Sequence, residues 1–297
     1  MSGSTLAGVV AAARRRLQEA GIAEAAGDAR MLVAASLHLT PAELISEGAR
    51  MLDAGEMTAI DRALERRAAR EPVHRILGRR AFLDLELELS PETLEPRPDT
   101  EILVEALVAP ARRMMAESGG CRILDLGTGT GAICLALLDL VPGATGVGVD
   151  LSPGALETAR RNADLNGVAD RFETVESDWF SAVSGRFDII VSNPPYIVRS
   201  VVETLDAEVR LYDPVLALDG GRDGLDAYRA IAAGAVSHLS PEGRVGLEIG
   251  YDQKDTVADL MAAEGFRLIE AVRDLGGNDR ALIFERKAMD RNAATAQ

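Results

Sequence analysis

Two stretches of the chain combine residue types and spacings that could do chemistry. Asn193, Pro194, Pro195 and Tyr196 follow directly on the apolar run Phe187 to Val191 and on Ser192. Two prolines cannot continue a central ladder, so the chain must leave its sheet here, at the carboxyl end of a strand, where open α/β folds bind ligands. An amide or aromatic NH2 group is a weak nucleophile. Two acceptors taking its hydrogens, the Asn193 side-chain oxygen and the Pro194 carbonyl, would leave its lone pair aimed at an electrophile. Tyr196 could stack on the planar group. A Pro-Pro pair elsewhere usually just ends a strand, with the tyrosine filling a core edge. Here the tetrapeptide follows the fourth strand of a chain that also carries a nucleotide turn, and that combination favours chemistry.

The nucleotide turn is Gly127, Thr128, Gly129, Thr130 and Gly131, set between the apolar Ile123, Leu124 and Asp125 and an apolar helix beginning at Ala132. Glycine tolerates positive φ and lets a ligand approach the backbone. Asp150, at the end of the next strand, can accept both hydroxyls of a ribose. A tight turn binding nothing is disfavoured by this pairing. Gly127, Gly129 and Ala132 also satisfy the dinucleotide spacing G-x-G-x-x-G/A, so a nicotinamide reading stays open on spacing alone. Asp125 argues for S-adenosylmethionine, because a carboxylate there can meet a cationic amino group and would sit badly beside a pyrophosphate. No candidate site for a hydride-transfer substrate is visible.

The elements that must position these residues follow from periodicity. Residues 1–80 carry helical spacings such as Leu6, Val9, Val10, Ala13 and Leu17, with breaks expected at Gly27, Thr40-Pro41 and Gly55, and predict a small helical domain. Alternation over Ala81 to Leu89 predicts a half-buried strand within a β-hairpin-like linker at 81–98. Beyond it, a helix over Thr100–Ala116 leads into alternating strands and helices, the pattern of a mostly parallel sheet covered on both faces. The strands are Arg122–Leu126, Gly146–Asp150, Phe172–Glu176, Phe187–Ser192 and Arg244–Ile249; the helices are Ala132–Leu140, Pro153–Asn166, Leu225–Ser237 and Gln253–Glu264. Arg267–Val272 and Arg280–Glu285 are joined too tightly for a parallel crossover, so the last strand should be antiparallel. The long segment Ile197–Gly224 reads as a substrate-clamping loop or a partly helical excursion, with its place at a carboxyl edge favouring the loop. The tail after Lys287 is expected to fray.

Charge narrows the function. The first 90 residues hold 12 basic and 13 acidic side chains, leaving 20 and 34 for the rest of a 297-residue chain whose net charge is −15. So acidic a second part argues against a large phosphate-binding footprint, and no direct nucleic-acid partner is expected. Two cysteines, Cys121 and Cys134, lie far from any zinc spacing and suit a reducing cytoplasm. Arg14 to Arg16 follow the first apolar stretch, the reverse of a secretory signal, and no apolar run is long enough to span a membrane. No metal site is expected. His38, His74 and His238 are scattered, and Asp99 and Glu101 read as first-turn helix charges, so no general base is assigned.

The tetrapeptide Asn193–Tyr196 is similar to the signature of methyltransferases acting on adenine, cytosine or glutamine nitrogens. Together with Pro96-Arg97-Pro98-Asp99-Thr100-Glu101, the glycine turn, Ser177-Asp178-Trp179-Phe180 and the stretch Asp213 to Arg229, the chain resembles the bacterial release-factor glutamine methyltransferases over nearly its whole length. The resemblance implies a Rossmann-like class I methyltransferase domain at 99–297, with a mostly parallel seven-stranded sheet and an antiparallel last strand, and a substrate-recognition role for the helical domain. It also implies methyl transfer from S-adenosylmethionine, leaving S-adenosylhomocysteine, to N5 of the glutamine in the Gly-Gly-Gln loop of class 1 peptide chain release factors. Asp125, Gly127, Thr128, Gly129, Thr130, Gly131, Asp150, Trp179 and Asn193 would then hold the cofactor. Asn193, Pro194, Pro195 and Tyr196 would hold the glutamine, with Asn193, Pro194 and Tyr196 catalytic. Trp179 suits a flat apolar wall for adenine, although a sole tryptophan is more often core. Related enzymes that methylate a ribosomal-protein glutamine differ around Arg97–Glu101. That substrate, a nucleic-acid base, or a non-catalytic module docking a translation factor are the alternatives. Glu95 departs from the family's usual aliphatic residue and puts that loop's packing in question.

Overall fold

The computed structural model describes residues 5–287; the tail after Lys287 lies outside them. In chain order the helices are α1 (Leu6–Glu19), α2 (Ala25–Ser36), α3 (Pro41–Ser46), α4 (Ala54–Ala68) and α5 (Val73–Leu77), followed by strands β1 (Arg79–Phe82) and β2 (Leu85–Glu88). Next come α6 (Pro98–Ser118), β3 (Arg122–Leu126), α7 (Ala132–Leu140), β4 (Thr145–Asp150), α8 (Pro153–Leu165), β5 (Phe172–Glu176) and β6 (Phe187–Ser192). The chain finishes with the short helices α9 (Arg199–Val202) and α10 (Ala207–Arg210), then α11 (Asp226–His238), β7 (Leu239–Glu248), α12 (Lys254–Ala263), β8 (Phe266–Arg273) and β9 (Asp279–Arg286).

These elements form two compact units. The first comprises, among the described residues, 5–79 with Asp206–Tyr212. Its core is made by Leu6, Val9, Ala13 and Leu17 of α1, Leu32 and Val33 of α2, and Ile60 and Leu64 of α4. The helix breaks fall elsewhere than expected at two of three places. Gly27 lies inside α2 and Gly55 inside α4. α1 ends before Gly21, at φ +72°, and α4 begins after Asp53, whose side chain accepts from the Glu56 amide while Glu56 reaches back to the Asp53 amide. Thr40-Pro41 does mark a boundary: Thr40 caps α3 in the same reciprocal arrangement with Glu43. Arg67 is the polar centre of this unit. Its guanidinium meets Asp28 of α2 at 2.6 Å and forks onto Glu208 of α10 at 3.0 and 3.1 Å.

The second unit comprises, among the described residues, 80–205 and 213–287. The alternation over Ala81–Leu89 is a hairpin rather than one strand, because Leu83, at φ +48°, turns the chain between β1 and β2. Leu85 and Leu87 are buried as the pattern requires. β2 is fixed to α8 by Glu88 N donating to Asn162 Oδ1 at 2.7 Å, and Asn162 Nδ2 in turn donates to the Thr130 carbonyl at 2.9 Å. The buried Glu95 is met by Arg80, which answers the packing question its charge raises.

The main sheet has seven strands in the order β5-β4-β3-β6-β7-β9-β8. β9 pairs antiparallel with both neighbours, and the pairs from β5 through β7 are parallel. Adjacent strand residues point to opposite faces: Ile123 and Ile189 pack with α6 and α7, Leu124 and Ile190 with α11 and α12. β7 starts five residues before the expected Arg244 and stops at Glu248; an irregularity between Phe187 and Ile189 accommodates Ser240 to Gly243. The segment Ile197–Gly224 is the partly helical excursion, carrying α9, α10 and a short turn at Val215–Ala217.

The Asp28 and Arg67 side chains are each 6% exposed and Glu208 is 34% exposed, which ranks their contributions. Arg67→Met strands a buried carboxylate and should cost about 3 kcal/mol. Glu208→Gln should cost about 1 kcal/mol or less. Urea unfolding of the two variants against wild type measures both; equal costs would show that burial does not control this cluster.

Candidate active site

The carboxyl ends of β3, β4 and β6 border a cavity of about 370 Å³. Gly127, Thr128, Gly129, Thr130, Asp150, Trp179, Asn193 and Pro195 line it. Residues far apart in sequence thus meet at one place. Gly131, Pro194, Tyr196 and Asp125 are not in its wall. Gly131 instead caps α7, where a built Cβ would lie 2.9 Å from Leu135 Cδ1. Tyr196 packs against the core under α11 and α12, and its carbonyl accepts from Gln253 Nε2 at 3.1 Å.

The glycine turn follows β3 abruptly. Gly127 and Gly129 have φ of +70° and +54°, and a Cβ at either would meet no protein atom within 4 Å. Here the backbone conformation demands glycine, and the open space above it is left to a ligand. Asp150 is held from both sides: its Oδ2 accepts from Gly129 N and its Oδ1 from Ser152 N, both at 2.9 Å. Each oxygen keeps a second lone pair for a hydroxyl. Trp179 occupies the left-handed region at φ +48°, a conformation costly for a bulky residue and concentrated at functional sites.

Asp125 lies beneath the turn. Its Oδ2 accepts from Thr128 Oγ1 at 2.8 Å and from Cys134 N at 3.3 Å, while its Oδ1 is buried without a hydrogen-bond partner. Burial pushes its carboxyl up to about 7, against those two hydrogen bonds. Burial likewise raises Asp150. Two desolvated carboxylates beside the glycine turn fit a ligand carrying a ribose and positive charge, and are a poor match for a pyrophosphate. The residues present therefore fit S-adenosylmethionine.

Beside the tetrapeptide is a buried group that sequence reasoning missed. Asn193 Nδ2 donates to Thr100 Oγ1 at 3.2 Å, and Thr100 Oγ1 donates to Glu248 Oε2 at 2.6 Å. Glu248 ends β7 and is pushed up to about 7, chiefly by burial. Thr100 belongs to the Pro96–Glu101 motif, but no local pattern links it to Glu248; the one signal was that β7 also ends at the carboxyl edge. Other parts of the long motifs meet as well, Arg97 Nη2 lying 2.8 Å from Asp213 Oδ2. Asp99 faces Arg280, and Glu101 accepts from the Leu83 amide at 3.0 Å, so neither carboxylate is poised as a base. His238 is engaged at both ring nitrogens by the Gly234 and Val183 carbonyls. Among the described residues no helix is long and apolar enough to cross a membrane.

Comparison with known proteins agrees with this geometry. Residues 9–78 match the PrmC N-terminal domain and residues 98–211 the methyltransferase small domain. The release factor glutamine methyltransferase of Agrobacterium fabrum is 53% identical over 95% of this chain and 98% of its own. Its counterpart in Cereibacter sphaeroides is 47% identical over 91% of this chain and 94% of its own. Among solved structures, a methyltransferase from Pyrococcus furiosus shares the fold at TM-score 0.52 and 22% identity, covering 70% of this chain and 91% of that one. Fold and site define an S-adenosylmethionine-dependent methyltransferase of the Rossmann-like class. Within that class, the chain belongs to the release factor glutamine methyltransferase family.

The raised carboxyl of Asp125 has a consequence for stability. Between the ordinary carboxylate range and about pH 7 the folded chain keeps a proton on Asp125 that the unfolded chain releases, so this group's contribution is present at low pH and lost as pH rises. Asp125→Asn keeps an acceptor for Thr128 and Cys134 but has no charge to desolvate. Its melting temperature should exceed that of wild type at about pH 8 and converge with it in mild acid. Its affinity for S-adenosylhomocysteine should fall about tenfold through loss of attraction for the ligand's ammonium group. Thermal scans and titration calorimetry across pH read both; an unchanged melting profile would show that Asp125 is not a desolvated anion.

Proposed function

We propose that this chain transfers a methyl group from S-adenosylmethionine to N5 of the glutamine in the Gly-Gly-Gln motif of class 1 peptide chain release factors, in the cytoplasm. The observation that carries the reading is that Asn193 shares one cavity with the glycine turn and Asp150. The activity for which the relatives are named supplies the substrate.

Bound in this cavity, S-adenosylmethionine supplies an electrophilic methyl group on a sulfonium. Asp150 would accept from the ribose hydroxyls, Thr128 and Thr130 would complete the turn that holds it, and Trp179 would offer a flat wall to adenine. Asn193 Oδ1 and the Pro194 carbonyl accept the two hydrogens of the glutamine amide, which fixes its plane and turns the nitrogen lone pair toward the methyl. Tyr196, outside the cavity wall and packed against the core behind it, supports the tetrapeptide; its phenol, pushed up to about 12 by burial, stays neutral and takes no proton. No protein base is needed, because a nitrogen that has just formed a bond to carbon is acidic enough to release its proton to water. The helical unit, whose match to the PrmC N-terminal domain covers residues 9–78, recognises the release factor.

The test is transfer of labelled methyl to a release factor in its Gly-Gly-Gln form and in a Gly-Gly-Ala variant. Label should appear on the glutamine form alone, and Asn193→Ala should lower turnover by about a hundredfold or more. Label on neither form would overturn the reading and move weight to a ribosomal-protein glutamine or a nucleic-acid base. Transfer that survives in Asn193→Ala would remove Asn193 from the reaction.

A further inference from the structure

Which end of the Asn193 amide faces the substrate decides whether the site accepts or donates hydrogen bonds. An amide group is nearly symmetric in shape, and either end fits the same space. What distinguishes the two orientations is the polarity of the buried chain behind it.

We propose that Glu248, acting through Thr100, is a positioning residue that fixes the orientation of the Asn193 amide and so makes the site an acceptor of the substrate's N–H groups. This deepens the reading of Asn193 as an amide acceptor and rests on it. Thr100 has a single hydroxyl proton. At 2.6 Å from Glu248 Oε2 that proton is committed to the carboxylate, in the distance range of a charge-assisted bond. The hydroxyl oxygen can then only accept, and it accepts from Asn193 Nδ2 at 3.2 Å. The amide nitrogen is thereby drawn back and Oδ1 is left as its acceptor. With Glu248 protonated the chain can run the other way: the carboxyl donates to Thr100, Thr100 donates to Asn193, and the Asn193 NH2 opposes the substrate NH2. Thr100 and Glu248 are both buried, so water does not scramble the order.

The groups facing Glu248 come from every neighbouring element. Asp99 of α6 acts as a like charge and raises its carboxyl, while Arg280 of β9, the hydrogen bond from Thr100 and the nearby Asn193 amide lower it. Tyr196, after β6, and Tyr228, on α11, stay protonated, since burial raises both phenols, and Tyr228 Oη donates to the Glu248 backbone carbonyl at 2.9 Å. Burial is the largest influence and sets Glu248 at about 7. Turnover at saturating cofactor should therefore fall as pH drops through about 7. Asp125 titrates in the same range, but its ionisation belongs to cofactor binding and is separated by saturation.

The experiment is the pH profile of kcat, and KM for a Gly-Gly-Gln release factor, for wild type, Thr100→Val, Thr100→Ser, Glu248→Gln and Asn193→Ala, with S-adenosylhomocysteine affinity measured on each. Thr100→Val should lose about a hundredfold in kcat with cofactor affinity kept, because the hydrogen bond behind Asn193 is gone. Thr100→Ser, which retains the hydroxyl, should restore most of it. Glu248→Gln should lose the acid limb near pH 7 that is expected of wild type. Wild-type kcat in Thr100→Val, no rescue by serine, parallel loss of turnover and cofactor affinity in Thr100→Val, or an acid limb retained in Glu248→Gln would each overturn the relay. Should Glu248→Gln fail to fold, the valine and serine pair decides alone. Failure of the underlying reading looks different: Asn193→Ala then turns over like wild type, whatever the Thr100 variants do.

Discussion

The site depends on the parallel register of β3 with β4 on one side and β6 on the other. Leu126 pairs with Val149, Asp125 with Val191 and Ser192 with Leu247. One residue further along each strand stand Gly127, Asp150, Asn193 and Glu248, level with one another at the same edge. Ser192 Oγ donates to the Leu126 carbonyl at 2.6 Å just below them and seals the register where the ladder ends. An antiparallel β6 would carry Asn193 to the opposite end of the sheet. A slip of one residue would turn the inward and outward faces of the strand over, and two cores of alternating residues oppose it. The chemistry is thus placed by strand pairing, and the side chains add only the last few ångströms.

That placement has an electrostatic cost. Asp125 and Glu248 stand out of water, Asp150 is half-buried at the cavity wall, and burial raises all three. A chain selected only for stability would fill these positions with neutral groups. Their retention makes sense where a bound cation or a directed hydrogen-bond chain offsets the desolvation, because in a low-dielectric site a fixed charge orients its partners far more strongly than at the surface. The positive φ of Trp179 belongs to the same pattern of local strain held by the surrounding fold.

Much of this was legible in sequence, for identifiable reasons. β3, β5, β6 and α7 fall at the residues read from the pattern: α7 is apolar but for Asp139, β3 and β6 are built on the short apolar runs Ile123-Leu124 and Ile189–Val191, and β5 sets Phe172 and Val175 among polar residues. The glycine turn, Asp150 and Asn193 were readable because each sits one step past such a run. A hairpin-like linker was expected, but the place of its turn was hidden because alternate leucines continue through Leu83, whose turn conformation leaves no mark in residue type. Gly27 and Gly55 misled because glycine is tolerated in a first helical turn, and the true stop and start signals were Gly21 and the Asp53–Glu56 capping box. Glu248 and Thr100 were invisible as a pair: they are 148 residues apart and meet only through the sheet. The same is true of Gln253 behind Tyr196.

Gln253 also shows how the tetrapeptide is kept still while the chain beyond it makes a long excursion. The excursion closes at its base: Ile197 donates to the Leu218 carbonyl at 3.0 Å, and Gly220 donates back to the Ile197 carbonyl at 2.8 Å. Gly220 approaches so closely that a Cβ there would lie 2.9 Å from the Pro195 carbonyl oxygen, and one on Gly224 would lie 2.6 Å from that of Tyr196. Gln253 Nε2 then bridges the Tyr196 and Gly224 carbonyls at 3.1 and 3.2 Å. A loop closed this tightly at its neck can vary in length and company beyond the neck, including the stretch Asp206–Tyr212 that joins the helical unit, without transmitting the change to Pro194 and Tyr196. The tetrapeptide backbone is therefore referenced to the sheet on one side and to Gln253, the residue just before α12, on the other. The excursion can vary while the tetrapeptide stays where β6 puts it.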